Sequence, residues 1–230
     1  MKLLSGYRSL FLITCSALGF DVSFAQAPAL EIHTANAQLT DNIRAHVRLP
    51  SISCASDDAE LAHALRSREA TLANTVQRAS QAVGFYSAEP QINIEKTSDC
   101  WLLSIAVEAG DPVLIKSVAI SIATDADLFA STLETLPLRE GRQLSHGDYE
   151  AAKAELSASA LELGFLDARF TLARLTIDKP LSAASIELAL DLGTRHRFGA
   201  INFDTGDALS NDFVSRFVAF NEGDFYSPQK

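Results

Sequence analysis

The chain has 230 residues, of which 19 are basic and 29 acidic, and its formal net charge is −10 at pH 7. A chain this acidic, with no basic cluster, lacks the positive surface that binds nucleic acid or an anionic membrane, so neither is expected as a partner. Its length is typical of one or two domains.

The N-terminus, residues 1–25, has the layout of a secretory signal peptide. Lys2 and Arg8 form a positive region, a short apolar run follows, and small residues allow cleavage after Ala25 or Ala27. The apolar run is too short to cross a bilayer as a helix. The alternative is a short membrane anchor that is not cleaved.

A first predicted unit follows the signal peptide. In chain order its elements are a strand at 30–34, a short helix around Ile43 and Val47, a long helix at 57–83, and strands at 91–95 and 101–107. The long helix has apolar residues at helical spacing. Gly84 follows it, where a left-handed residue often closes a helix.

The second unit repeats this order. Its elements are a strand at 113–122, a short helix carrying Leu128, Phe129, Leu133 and Leu136 that Thr124 or Asp125 caps, a long helix opening at Ser145, and strands at 170–177 and 186–192. Ser145 with Asp148 is a variant of the capping box, and Gly164 stands just past the helix. A third unit begins with a strand at 198–203 and a helix at 212–218.

Internal similarity supports these units independently of the elements. Three pairs of segments align without gaps at offsets of 80 to 83 residues: 105–120 with 188–203, 82–95 with 162–175, and 138–141 with 220–223. Gly84 matches Gly164, and Gly110 matches Gly193. A fixed offset of this size is the signature of a repeated structural unit. The chain therefore contains two whole units and the start of a third, at 28–111, 112–195 and 196–230.

Two cysteines, Cys54 and Cys100, remain after removal of the signal peptide. An even number of cysteines in an exported chain favours a disulfide, which here would close a loop of about 45 residues and contribute around 4 kcal/mol on the chain-entropy model. The alternative is a pair of free buried thiols.

The order β-α-α-β-β in tandem after a signal peptide resembles POTRA (polypeptide-transport-associated) domains of the BamA/TamA superfamily. The motifs that carry the resemblance are Gly110 to Ile115, Gly147 to Glu150, Gly164 to Asp167, Arg197 to Phe203 and Phe220 to Ser227. It implies an α+β fold of tandem modules, each a three-stranded mixed sheet with two helices on one face.

In this family the second strand of each module lies at the sheet edge, where an incoming strand can pair with it. That strand is 91–95 in the first unit, where Pro90 would blunt the edge, and 170–177 in the second. We therefore expect protein binding at Phe170, Leu172 and Arg174.

The resemblance also implies partners and a location. The expected partners are unfolded outer-membrane or autotransporter proteins and a TamB-like inner-membrane-anchored protein, met at the periplasmic face of the outer membrane. Members carry a C-terminal β-barrel after three such domains, whereas this sequence stops at Lys230. We therefore expect a truncated product or a fragment, linked to the membrane only through the missing barrel.

The sequence predicts no chemistry. No nucleophile–base pair can be named. The five histidines show no metal-ligand spacing; these histidines are His33, His46, His63, His146 and His196. We expect no cofactor, no metal and no enzymatic activity. Two alternatives stay open, the POTRA region of a two-partner-secretion transporter and a free periplasmic ligand-binding module, although no pocket-forming set of polar residues is evident.

Overall fold

The computed structural model describes residues 27–51, 53–54, 57–98, 100–204 and 210–229. The predicted signal peptide, residues 1–25, therefore lies outside the described residues. Within them, no helix has both the length and the apolar character needed to cross a membrane.

The first module is a three-stranded sheet covered by helices. Its elements are β1 (Ala29–His33), α1 (Ala37–His46), α2 (Asp58–Arg66), α3 (Glu69–Ala82), β2 (Glu89–Lys96) and β3 (Trp101–Glu108). The strand order is β1-β3-β2, with β1 parallel and β2 antiparallel to β3. The core lies between the sheet and α1 and α3, and includes Leu39, Ile43, Val76, Leu103 and Ile105.

The single long helix predicted at 57–83 is wrong in one respect, because two helices, α2 and α3, occupy that span. The amide of Arg68 donates to the carbonyl of Leu65 (3.1 Å), which tightens the last turn of α2. The buried Leu61 and Leu65 of α2 pack against Trp101 in a small cluster of their own, whereas α3 faces the main core. The chain therefore turns between α2, which packs on Trp101, and α3, which packs on the main core.

The second module repeats the first. Its elements are β4 (Leu114–Ile122), a 3₁₀ turn (Ala126–Phe129), α4 (Ala130–Thr135), α5 (His146–Glu162), β5 (Arg169–Asp178) and β6 (Ala183–Asp191). The strand order is β4-β6-β5, with the same parallel and antiparallel pairings as in the first module. The predicted α+β fold with two mixed three-stranded sheets is thus confirmed.

Local sequence explains most of these elements. The Ser145 hydroxyl accepts a hydrogen bond from the Asp148 amide (3.2 Å) and caps α5 as predicted. Ile186, Leu188 and Leu190 alternate along β6 and are all buried against the helices. Asp125, by contrast, precedes the 3₁₀ turn in a left-handed conformation (φ 51°) and makes no side-chain cap bond, so its predicted capping role is wrong.

In the segment from 196 to 229, the described residues form one short helix, α6 (Asn211–Ser215), where a helix at 212–218 was predicted. The predicted strand at 198–203 is not formed, and the described part of this segment has only an isolated bridge between Arg197 and Phe225. An extended segment becomes a strand only by pairing with a neighbour, and no strand lies beside 198–203 among the described residues.

Candidate protein-docking strands

Both modules place their second strand at a sheet edge. β2 pairs with β3 on one side and β5 pairs with β6 on one side. On the other side, neither has a strand partner among the residues that the structure describes. Each edge therefore presents main-chain donors and acceptors that another extended chain can satisfy.

A bulge in β5 places the predicted site residues on different faces of the sheet. Phe170 lies opposite Leu190, but Leu172 lies opposite Ala189, so Thr171 is the extra residue. Phe170 consequently points to the helices and packs on the core, whereas Leu172 lies on the outer face of the sheet. A regular strand would have placed both on one face.

Arg174 also lies on the outer face, opposite Glu187, with 3.5 Å between its Nη1 and the carboxylate. Arg169 and Asp191 form a second cross-strand pair, 3.0 Å apart. These pairs are exposed and stabilise the sheet little. They do leave charges beside the edge, which limits non-specific pairing with other sheets.

The edge of module 1 is interrupted. Pro90 is the second residue of β2 and lies opposite Val107. Proline has no amide hydrogen and cannot donate to an added strand. β5 contains no proline along its whole length, so of the two edges it offers the longer continuous row of main-chain groups.

A disulfide joins Cys54 to Cys100, whose Cα atoms are 5.3 Å apart. It ties the residues before α2 to the turn before β3. Lys96, the last residue of β2, contacts the Asp58 carboxylate at the first turn of α2, and this hydrogen bond lowers the pKa of Asp58. Both links hold α2 over the end of the sheet where Trp101 is buried.

The histidines take structural contacts. His146 shares a hydrogen bond with the Tyr86 hydroxyl, and His196 lies 3.6 Å from the Asp167 carboxylate. The part of the chain that the structure describes contains no group of three or more metal-binding side chains. The sequence did not predict these contacts, because they link residues of different units.

A comparison with protein families identifies module 1. Residues 29–109 match the family model of a POTRA domain, described as TamA domain 1. The match begins with the first residue of β1 and ends just past β3. Residues 29–109 thus resemble a POTRA domain. Module 2 has the same strand order and an edge strand at the same position.

Several solved structures are similar to the chain at low identity. POTRA domains 3–5 of Haemophilus influenzae BamA are 14% identical, with 89% of this chain and 81% of that chain covered and a TM-score of 0.46. POTRA domains 1–3 of Omp85 from Anabaena are 13% identical, with 88% of this chain and 79% of that chain covered and a TM-score of 0.35. CdiB from Escherichia coli is 13% identical, with 76% of this chain and 28% of that chain covered and a TM-score of 0.29. Similarity at this level assigns no function to individual residues.

Proposed function

We propose that the chain is the periplasmic protein-binding array of an outer-membrane protein assembly factor, and that it takes extended segments of unfolded outer-membrane or autotransporter proteins as added strands. The observation that carries the proposal is the edge strand β5, a ten-residue strand that contains no proline and that, within the part of the chain that the structure describes, has no strand partner on its outer side. It belongs to a module that repeats the POTRA-like module at 29–109.

Main-chain pairing suits this role. Strand addition uses amide and carbonyl groups that every client possesses, so affinity depends little on client sequence. Clients that are destined to become β-barrels have alternating apolar and polar residues. Such a strand placed beside β5 would set its apolar side chains next to Phe170 and Leu175, which are half-buried at the rim of the core.

The outer face would then meet the client's polar side chains. Leu172 and Arg174 lie on this face, and side chains directly opposite each other on neighbouring strands are about 5 Å apart. We therefore keep Phe170, Leu172 and Arg174 as the proposed contact residues. Phe170 would contact the added strand on the core face of the sheet, and Leu172 and Arg174 would contact it on the outer face.

Proline scanning tests main-chain pairing. Amides of neighbouring residues in a strand point to opposite sides, so one of Ala173→Pro and Arg174→Pro removes an outward amide and the other removes one that pairs with β6. The outward variant should keep its circular dichroism spectrum and bind a synthetic outer-membrane barrel strand at least about tenfold more weakly by calorimetry. Arg174→Ala, which keeps the amide and removes only the side-chain contact, is the matched control and should weaken binding much less. Unchanged affinity in both folded proline variants would refute strand addition at β5.

We also propose that module 1 docks a TamB-like inner-membrane-anchored partner at the periplasmic face of the outer membrane. The support is that the matching family model is that of TamA domain 1, and that an intact disulfide suits an oxidising compartment. Affinity purification from periplasmic extract with cross-linking should recover this partner and unfolded outer-membrane proteins. Recovery of only a secreted two-partner substrate, or of a small ligand, would contradict the proposal.

A further inference from the structure

The last helices of the two modules end in the same way. Gly84 after α3 and Gly164 after α5 have φ angles of +91° and +94°. Two backbone bonds close each helix end: Gly84 to Gln81 and Phe85 to Ser80 in α3, and Gly164 to Leu161 and Phe165 to Ala160 in α5. This is the Schellman arrangement, which still leaves the outermost carbonyls of the helix without a partner.

The following segment supplies those partners at both ends. The amide of Val113 donates to the Gly84 carbonyl (2.9 Å), and the amide of His196 donates to the Gly164 carbonyl (2.8 Å). Side chains add a second donor at each site: Gln143 Nε2 to the Val83 carbonyl at 2.6 Å, and Arg195 Nε to the Leu163 carbonyl at 2.7 Å. Each module's last helix is therefore capped by residues that follow that module's last strand.

The capping segments are themselves folded alike. Three backbone hydrogen bonds of the first capping segment recur in the second, between residues 82 or 83 positions later in the chain. Leu144 to Val113 corresponds to Tyr226 to His196, Ile115 to Arg142 corresponds to Phe198 to Asp224, and Gly141 to Ile115 corresponds to Gly223 to Phe198. The described residues of 196–229 thus contact module 2 in the same way as module 2 contacts module 1.

The glycines leave no room for adjustment. A Cβ atom at Gly84 would lie 2.5 Å from the Leu144 carbonyl oxygen, and one at Gly164 would lie 2.7 Å from the Tyr226 carbonyl oxygen. Both neighbours are backbone atoms, so no side-chain rotation relieves the clash. Packing reinforces the contact at the first junction, where Tyr86 lies against the core of module 2.

We infer that these repeated junctions are rigid couplers that fix the orientation of consecutive modules, and that residues 196–229 are the docked opening of a third module. Modules 1 and 2 and this segment then tumble in solution as one body. The angle between the edge strands β2 and β5 then stays constant. This inference is independent of whether β5 binds clients.

Nitrogen-15 relaxation of the protein purified from the periplasm tests the first junction. Wild-type amides of modules 1 and 2 should share one rotational correlation time, and in Gly84→Ala each module should tumble faster and independently. Gly141→Ala is the matched control, because Gly141 also has a positive φ (+79°) but has no atom within 4 Å of an added Cβ; it should leave the common tumbling intact. Independent tumbling in the wild type, or common tumbling in a folded Gly84→Ala protein, would overturn the inference.

The second junction gives an independent test if Gly84→Ala unfolds module 1. Gly164→Ala should free the amides of 196–229 to move faster than those of module 2. Gly223→Ala, whose φ is +86° and whose added Cβ would meet nothing within 4 Å, should not. Equal mobility of 196–229 in the two variants would contradict rigid coupling.

Discussion

Three contacts hold α2 on module 1: a disulfide, an ion pair and an apolar cluster. Cys54 is bonded to Cys100, Asp58 is paired with Lys96, and the buried Trp101 packs on the apolar face of α2. Trp101 is the only tryptophan in the chain, so its fluorescence reports on this small cluster. The main core of module 1 is a separate cluster, which allows the attachment of α2 to be tested without disrupting that core.

Removal of the disulfide should destabilise module 1. The bond spans 46 positions, and a loop of this size stabilises the folded state by roughly 2–4 kcal/mol because it restricts the unfolded chain. Urea unfolding of Cys54→Ala/Cys100→Ala, followed by Trp101 fluorescence, should show this loss. Hydrogen exchange in module 2 serves as the control and should stay unchanged. An unaltered unfolding midpoint would show that the bond does not constrain module 1.

Acid should weaken the exposed Asp58–Lys96 pair and so loosen α2 slightly. The hydrogen bond and charge of Lys96 lower the pKa of Asp58 from its ordinary value of 3.8. A lowered folded-state pKa means that the stabilisation is present above the ordinary value and is lost as the pH falls through the lowered one. Trp101 emission should therefore shift to longer wavelength below about pH 4. Asp58→Asn should remove this transition, Glu60→Gln on the same helix should retain it, and identical curves for the two would contradict the role of Asp58.

At the scale of elements, α5 shows how far helix signals can be followed. Its cap at Ser145 and the glycine after its end are local features, and the sequence predicted both. Its buried stripe consists of Tyr149, Ala152, Leu156 and Ala160. The break between α2 and α3 was missed because the apolar spacing continues through Ser67 and Arg68. Only the position of Trp101 in the fold shows that α2 has a different target from α3.

The buried stripe of α5 predicts a contrast between two leucines. Leu156 is fully buried, whereas Leu161 is 44% exposed. Leu156→Ala should lower the free energy of unfolding of module 2 by about 2–5 kcal/mol, because it leaves a cavity. Leu161→Ala removes the same atoms from the same helix and should change it by less than about 0.5 kcal/mol. Thermal denaturation would compare them, and equal effects would contradict the described packing.

The bulge at Thr171 is the feature of the proposed site that the sequence could not predict. The resemblance placed β5 at the edge, and the structure agrees, but regular alternation would have put Phe170 and Leu172 on one face. The register shift depends on how β5 pairs with β6, where the Thr171 hydroxyl donates to the Ala189 carbonyl (3.3 Å). A pairing between strands cannot be derived from the pattern of one strand.

For the whole molecule, the repeat predicted two modules and their order of elements, since each module's alternation and caps are local. The junctions were beyond the sequence, because they join Val83 and Gly84 to residues about 30 and 60 positions later. The matched glycines were visible as a repeat, but their contact with the next module's backbone was not. Docking at β5 and rigid coupling at the junctions therefore rest on different parts of the structure.

Strand addition at β5 is tested most directly by amide hydrogen exchange with and without a synthetic outer-membrane barrel strand. The added strand should slow exchange at alternate amides along β5 (Arg169–Asp178), namely those that face the free edge, since only these gain a partner. The interrupted edge of β2 should be protected less. Protection confined to another surface, with the exchange of β5 unchanged at saturating peptide, would contradict docking at this strand.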